Sequence, residues 1–273
     1  MSAAIAEPAR VVFDRKVARD LRRVRRRAVL VRLCQLATAV ILIGAWQAAV
    51  ALGWANPVYV GSPELIAVEL WNNTRNGFFF VQAVPTLVAI VVSFALAGSV
   101  GILTGVLVHE VPFLDKVFAP FIAAINGVPR IALAPVTIVW FGLGMGSKVA
   151  LAFSLVVFIV LVTTEASLRN VDPDLVRLCR SLGASRVRTL VAVKLPWALP
   201  GIFAGLRLGL LYAIVSVIVN EMIASPDGLG QLIALYSNTF EISRMFAVLV
   251  FTSIATILAD AALQRIERRL KVW

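Results

Sequence analysis

The residues that could carry out catalysis or bind a metal are few in this sequence. The single histidine, His109, is followed by Glu110, and the only cysteines are Cys34 and Cys179. A zinc site needs three or four His, Cys or carboxylate ligands, and a disulfide scaffold needs several cysteine pairs. The sequence therefore predicts no metal site and no disulfide framework, and we interpret His109 as a solvated residue at the end of a membrane span.

Motifs of hydrolytic and nucleotide-binding enzymes are also missing from the sequence. The chain has neither a G-x-S-x-G nucleophile motif nor an H-E-x-x-H metalloprotease motif. It lacks G-x-x-x-x-G-K-[ST], the loop whose backbone amides and lysine hold nucleotide phosphates. We therefore expect a protein without catalytic residues or a bound cofactor. If it works against a gradient, another subunit or an ion must supply the energy.

The apolar composition of the chain indicates that membrane-spanning helices hold its polar residues in place. Of the 273 residues, 60% are apolar, well above the roughly 45–50% of an ordinary soluble domain. A particle of this size cannot hide so much apolar surface inside itself, so lipid must cover the excess. We predict an all-α integral membrane protein whose six spans are each long enough to cross about 30 Å of hydrocarbon. They lie at about 33–52, 84–108, 117–142, 148–166, 199–224 and 245–264.

The distribution of charge predicts the orientation of these spans. The chain has 26 basic and 15 acidic residues, a net charge of +11. If the N-terminus is cytoplasmic, all basic residues fall on the cytoplasmic side except Arg75, Lys148 and Arg244, which fall outside, and Arg130 and Arg207, which fall within spans. This bias follows the positive-inside rule and places both termini in the cytoplasm. Since topology accounts for the charge, we expect no nucleic-acid partner.

The same pattern divides the chain into three parts. We predict a basic cytoplasmic tail over 1–32, a six-span transmembrane domain over 33–264 and a cytoplasmic tail over 265–273. The arginine run at 22–27 is interpreted as an orientation signal attracted to anionic membrane lipid. Between the first two spans, a short amphipathic helix is predicted to begin after Ser62, either lying on the outer membrane surface or acting only as a connector.

The longest cytoplasmic loop, over 167–198, is predicted to be structured. Asp172 can cap a helix that begins at Pro173, and Gly183 supplies the left-handed residue that closes it. A second short helix is predicted from Arg186 to Lys194, ending at the following Leu-Pro pair. Because both ends of this helix pair are tied closely to spans, a DNA-binding role is disfavoured, and we expect it to dock into a cytoplasmic partner.

This loop resembles the "EAA" loop of ABC-importer permeases, in which a glycine is followed after nine residues by an aliphatic residue and then by Leu-Pro. Nine residues separate Gly183 from Val193, and the Leu-Pro pair follows in register. One departure is that Arg-Leu-Cys stands in place of Glu-Ala-Ala. The residues that match or replace the motif are Arg177, Leu178, Cys179, Arg180, Ser181, Leu182, Gly183, Ala184, Leu195 and Pro196.

Further stretches are similar to the nitrate/sulfonate/taurine branch of that family, at 128–135, 140–144, 200–207 and 221–230. The resemblance implies a type I importer permease in the bacterial inner (plasma) membrane, a transport subunit that is not itself an enzyme. It implies as partners a second permease copy, forming a homodimer, two cytoplasmic ATPase subunits that hold ATP and Mg²⁺, and an external solute-binding protein. The ten loop residues would contact the ATPase.

The cargo implied by the branch is a small anionic solute, with nitrate, a sulfonate, an aromatic acid and a vitamin precursor all compatible. An alternative function is that of a self-sufficient secondary transporter or channel. Such a carrier needs several ionisable residues deep in its spans to couple ions. This sequence has few, which favours the permease.

Four residues are candidates for the translocation pathway or its gate: Arg130, Trp140, Asn220 and Glu221. Ionisable groups in a bilayer are costly and face protein or water. Arg130 could attract an anionic solute, or it could pair with a loop carboxylate. Glu221 lies at the outer end of the fifth span, where we expect a gate or an anchor for the following loop rather than a solute contact.

Overall fold

A computed structural model describes residues 6–270, and all regular secondary structure in that part of the chain is helical. Twelve α-helices are joined by a 3₁₀ turn at Arg130–Leu133 and a π turn at Leu190–Lys194. The helices are α1 (Ala6–Ala51), α2 (Pro57–Val60), α3 (Pro63–Arg75), α4 (Phe78–Glu110), α5 (Pro112–Asn126), α6 (Ala134–Phe141), α7 (Met145–Arg169), α8 (Pro173–Ser181), α9 (Arg186–Thr189), α10 (Leu195–Ala224), α11 (Leu229–Asn238) and α12 (Ile242–Leu270).

The predicted membrane architecture of six apolar segments is confirmed, with one change of form. Five helical stretches within the described residues are long and apolar enough to cross a bilayer, and a sixth segment is a shorter apolar helix over Arg130–Phe141. The five long stretches are Val29–Ala51, Phe78–Glu110, Met145–Arg169, Arg186–Ala224 and Ile242–Arg269.

The third span was predicted as one helix over 117–142. The apolar segment is present, but it is broken into two helices, so the prediction of a continuous helix was wrong. Helix α5 ends at Asn126, and the chain becomes helical again only at Arg130. Pro129 explains the break, because a proline pushes the preceding residue, here Val128, out of the helical region and removes a backbone donor.

Within the described residues the chain forms two compact units, 6–64 and 65–270. In the first unit, α1 is continuous through the boundary between the predicted tail 1–32 and the first span. The side chains of the arginines at 22–26 lie outside the described residues, as do residues 271–273 of the predicted C-terminal tail. Near the end of α1, Gln47 Oε1 accepts hydrogen bonds from Ser62 Oγ (3.2 Å) and from the Glu64 amide (3.3 Å).

Helix α3 confirms the predicted amphipathic helix after Ser62 and extends it to Arg75. Its residue Ile66 is buried, whereas Leu65, Val68 and Trp71 are exposed. The apolar face predicted from the sequence is therefore available to lipid or to a partner.

The core of the second unit is built around α7, which packs between α4 and α10. Glycines allow this close approach, since small residues let helix backbones come together. A Cβ atom at Gly105 of α4 would lie 2.8 Å from the Leu161 carbonyl oxygen, and one at Gly205 of α10 would lie 2.7 Å from Thr163 Cβ. The glycines that recur on these helices thus serve packing within one chain.

The second helix of the cytoplasmic loop does not end at Leu195-Pro196, contrary to the prediction. The chain is helical from Arg186 through Ala224. The Leu195 amide donates to the Leu190 carbonyl, five residues earlier, which marks the π turn just before Pro196. Proline clashes with the carbonyl four residues earlier in a regular α-helix. We attribute the continuity to this π turn, which changes the local hydrogen-bond register.

We predict that Gly205→Val destabilises the protein, because the added side chain would overlap Thr163. Overpacking of this kind costs about 1–3 kcal/mol, equivalent to a fall in melting temperature of roughly 2–12 °C for a chain of this size. Thermal unfolding in detergent measures the effect. The matched control is Gly44→Val, since a Cβ atom at Gly44 meets nothing within 4 Å. Equal melting temperatures for the two variants would contradict the packing role.

Candidate functional site

The helix pair α8–α9 projects at one end of the helical bundle, called here the α8 end. Asp172 caps α8 by accepting a hydrogen bond from the Asp174 amide (2.8 Å), and Ser185 caps α9 by accepting one from the Arg188 amide (3.2 Å). Gly183 adopts the left-handed conformation with φ of +80°. The caps and the turn predicted from the sequence are therefore confirmed, and they make the connection between the two helices short and defined.

Most predicted coupling residues lie on the surface of this pair. No residue of α8 is buried, and the apolar side chains of Leu178, Leu182 and Val187 are exposed. Cys179 and Ala184 are half-buried. Leu195 and Pro196 are also half-buried and lie at the base of the pair, where Leu195 packs against the cluster of Leu168, Ala198 and Ile202. Residues 177–184 thus form the surface of the helix pair, whereas Leu195 and Pro196 belong to the base that holds the pair on the bundle.

Ionic contacts hold the base of the pair to α4. Lys194 Nζ donates to Glu110 Oε1 at 2.6 Å and lies 3.3 Å from His109 Nε2. The interpretation of His109 as a solvated residue was therefore wrong, because Lys194 reaches it from the π turn and only 16% of its side chain is exposed. The arrangement ties the end of α4 to the start of the long helix Arg186–Ala224.

A buried polar network lies at the opposite end, called the α11 end. Lys148 near the start of α7 and Glu221 near the end of α10 are each 1% exposed. Their Nζ and Oε1 atoms are 2.9 Å apart, and Lys148 Nζ also lies 2.9 Å from Oδ1 of Asp227, which is half exposed. The sequence assigned Lys148 to the outer side of the membrane but gave no sign that its side chain is buried in an ion pair. Since α7 and α10 run antiparallel, the start of one meets the end of the other.

Hydrogen bonds complete the shell around Glu221. Thr86 Oγ1 of α4 lies 2.9 Å from both carboxylate oxygens and accepts a hydrogen bond from the Leu229 amide at 3.0 Å. The Gly230 amide donates to Glu221 Oε2 at 2.9 Å. One carboxylate therefore joins α4, α7, α10 and the start of α11.

The backbone at Gly228–Gly230 lies directly on the Glu221 side chain. Gly228 has φ of +109°, and a Cβ atom there would collide with the Glu221 carboxylate. A Cβ atom at Gly230 would lie 2.6 Å from Glu221 Cβ. These two glycines are needed because a side chain at either position would collide with Glu221 and displace the Gly230 amide that binds its carboxylate.

Asn220 extends the network to α6. Ser147 Oγ donates to Asn220 Oδ1 (3.3 Å), and Asn220 Nδ2 donates to Thr137 Oγ1 (3.4 Å). Trp140, one turn further along α6, is exposed. Asn220 and Glu221 are thus brought together, while no contact joins the exposed Trp140 to either of them among the described hydrogen bonds.

Arg130 occupies a separate buried position at the break in the third span. Its guanidinium donates to the backbone carbonyls of Ile125 (3.2 Å) and Ser154 (3.4 Å) and lies 4.4 Å from the centroid of the Phe158 ring. These contacts brace the broken span against α7. Over the described part of the chain, no three His, Cys, Asp or Glu side chains form a group that could hold a metal ion.

Comparisons with known proteins agree with this architecture. The family model described as "Binding-protein-dependent transport system inner membrane component" matches residues 97–272. A riboflavin transport system permease protein of Chloroflexus aurantiacus is 31% identical over 236 residues, covering 86% of this chain and 88% of that protein. The taurine transport system permease protein of Escherichia coli is 28% identical over 243 residues, covering 87% and 88%.

A solved structure shows the same fold. An inward-facing form of the MetNI methionine ABC transporter aligns with a TM-score of 0.63 at 23% identity, covering 71% of this chain and 96% of that chain. At this level of identity the match shows a shared fold.

The buried ion pair leads to a prediction about stability. Removing one partner of a buried pair costs about 3–5 kcal/mol, whereas replacing both costs far less. Lys148→Met should therefore lower the melting temperature in detergent strongly, and the double variant Lys148→Met/Glu221→Gln should regain more than half of the loss.

The control is Arg177→Gln, which breaks the exposed pair with Asp174 and should change stability by less than about 1 kcal/mol. Strictly additive losses at Lys148 and Glu221 would contradict an energetic coupling between the two side chains.

Proposed function

The chain belongs to the family of binding-protein-dependent transport system inner membrane components, and we propose that it is the permease subunit of an ATP-driven importer for a small anionic solute. The six apolar segments and the type I importer permease fold support this role over that of a self-sufficient carrier or channel. A sulfonate or similar anionic group on the cargo is supported by the relative named for taurine, which carries a sulfonate. The chain itself forms the membrane route and carries out no chemistry.

The α8 end is assigned to the cytoplasm, together with both termini. Support comes from the basic residues of the helix pair, since cytoplasmic segments of membrane proteins are enriched in Lys and Arg. The arginines of the pair are Arg177, Arg180, Arg186 and Arg188. In this orientation the Lys148–Glu221 network lies at the external end of the bundle, where a solute-binding protein would deliver its cargo.

The observation that carries the proposal is the exposed apolar surface of the helix pair. Leu182 is 79% exposed, and Leu178 and Val187 are exposed beside it. Burying one such side chain contributes about 1.5–3 kcal/mol, and contiguous exposed apolar residues mark interaction sites. We assign this surface to a cytoplasmic ATPase subunit, two of which would serve two permease copies and hold the ATP and Mg²⁺.

The coupling path runs along one helix. The helical stretch Arg186–Ala224 has 39 residues, which corresponds to a length of about 58 Å. It begins in the docking surface and ends beside Glu221. A change in the separation of the ATPase subunits would therefore be carried through this helix to the external network, rocking the bundle between inward-open and outward-open arrangements.

We predict that Leu182→Asp weakens docking, because it places a charge in the apolar contact. Co-purification of the ATPase subunit with the permease should fall at least about tenfold, corresponding to a loss of about 1.4 kcal/mol. Trp54→Asp is the matched control, since Trp54 is 82% exposed but lies outside the helix pair. Full co-purification by a folded Leu182→Asp variant would reject the docking surface.

A second variant tests the rigidity of the pair. Gly183→Val forces a β-branched residue into a left-handed conformation, at a cost of about 1–2 kcal/mol, and should distort the turn without affecting insertion. ATP-driven uptake into proteoliposomes should be abolished. Gly53→Val is the control, because Gly53 has a similar φ of +73° and equally open surroundings but lies outside the pair. Normal uptake by a correctly inserted Gly183→Val protein would refute the idea that a rigid helix pair is needed for coupling.

A further inference from the structure

An ion pair between α10 and α12 stands apart from the two sites described above. Arg207 Nε lies 2.9 Å from Asp260 Oδ1, and Arg207 Nη2 lies 3.1 Å from Asp260 Oδ2. Gln264 Nε2 also donates to Asp260 Oδ2, at 2.7 Å. The guanidinium and the carboxylate therefore meet side by side, with an amide holding the carboxylate from the next helical turn.

The pair lies within two apolar helices, towards the α8 end. Arg207 is about 18 Å along α10 from Leu195, and Asp260 is about 15 Å along α12 from Leu270. Yet 41% of the Arg207 side chain and 26% of the Asp260 side chain are exposed. Charged groups at such depth face protein or water rather than hydrocarbon. The exposed side of this pair must therefore meet one of these in the membrane.

A cavity opens beside the pair. Its volume is about 400 Å³, and it is lined by Arg207, Asp260, Ala204, Leu208, Leu211 and Thr256, with Ile257 at the edge. Pockets for small molecules begin at about 300 Å³ and combine apolar walls with a few polar groups. The cavity has the size and lining expected for a small organic acid.

The other cations inside the described spans are not accessible to a solute. Lys148 is 1% exposed and Arg130 is 9% exposed, and both are held by the contacts given above. The remaining basic residues of the described spans lie towards the helix ends. Arg207 is thus the partly exposed cation that lies furthest from the helix ends in the described spans.

We propose that Arg207 and this cavity form an anion-binding site in a water-filled solute route, where Arg207 contacts the carboxylate or sulfonate of the passing solute. The inference rests on the proposed import function and adds the residue that meets the cargo. A guanidinium suits the task because its planar set of donors matches both kinds of oxyanion. In the empty state Asp260 neutralises Arg207. When a solute displaces it, Gln264 continues to bind the Asp260 carboxylate.

Thiol labelling with a reagent that is itself a sulfonate tests the site without knowledge of the cargo. In a Cys34→Ser/Cys179→Ser background, Thr256→Cys places a thiol in the cavity wall. The control is Leu103→Cys on α4, at a position that is 69% exposed and apolar. The protein is assembled with its ATPase subunits in proteoliposomes and treated with 2-sulfonatoethyl methanethiosulfonate.

Only a thiol in contact with water forms the reactive thiolate, so the cavity thiol should react at least about tenfold faster than the control. The variant Asp260→Asn leaves the Arg207 cation without its counter-charge. It should speed the anionic reagent at least about threefold relative to 2-(trimethylammonio)ethyl methanethiosulfonate, because an uncompensated positive charge concentrates anions, and adding Arg207→Gln should abolish that gain.

Two results would overturn the proposal. A cavity thiol that reacts in the detergent-solubilised chain but with neither reagent in the assembled complex would show that a second copy covers this face. A ratio of anionic to cationic rates that is the same in the Asp260→Asn variant and in its parent would show that Arg207 and Asp260 only hold α10 and α12 together. Because labelling does not require uptake, failure of the import function would appear separately, as a permease that does not bind an ATPase subunit.

Discussion

The inability of the hydrocarbon core to solvate charge is the constraint on which the rest of this structure depends. Each ionisable group within the described spans must find its partners in protein or water. Lys148 and Glu221 satisfy this by complete burial, with hydroxyl and backbone donors completing the shell. Arg130 uses backbone carbonyls and an aromatic ring. Arg207 pairs with the Asp260 carboxylate but remains partly exposed. This exposure distinguishes Arg207, which a solute could reach, from the buried charges that only hold the helices together.

The same constraint makes the helical bundle stiff between its two ends. The Glu221 network joins helices that otherwise meet mainly through apolar side chains, and it sits where the long helix Arg186–Ala224 ends. At the other end, that helix begins in the exposed pair and is tied to α4 through Lys194. Glycine contacts bring α7 close to both of its neighbours. A displacement at the helix pair therefore has a stiff path to the Glu221 network at the α11 end, which is what the proposed coupling to an ATPase subunit requires.

Much of this arrangement could be predicted from local sequence signals. Apolar length predicted the spans, and Asp172, Pro173, Gly183 and Ser185 predicted the helix pair, because capping and left-handed turns depend on a few adjacent residues. The pairing of Lys148 with Glu221 could not be predicted with equal ease, since it depends on which spans pack together and in which register. A lone lysine at the start of one apolar helix and a lone glutamate at the end of its antiparallel neighbour were the available signal.

The break in the third span was likewise signalled by Pro129, whereas the continuation through Pro196 depends on a π turn that no local motif indicates.

The most direct test of the account is a distance measurement between spin labels at Pro226→Cys in the two permease copies of the assembled importer, with the native cysteines replaced by serine. The account predicts that the distance changes by several ångströms when the ATPase subunits bind ATP. An identical distance distribution with and without ATP, in a complex that hydrolyses ATP, would contradict transmission from the helix pair to the external network.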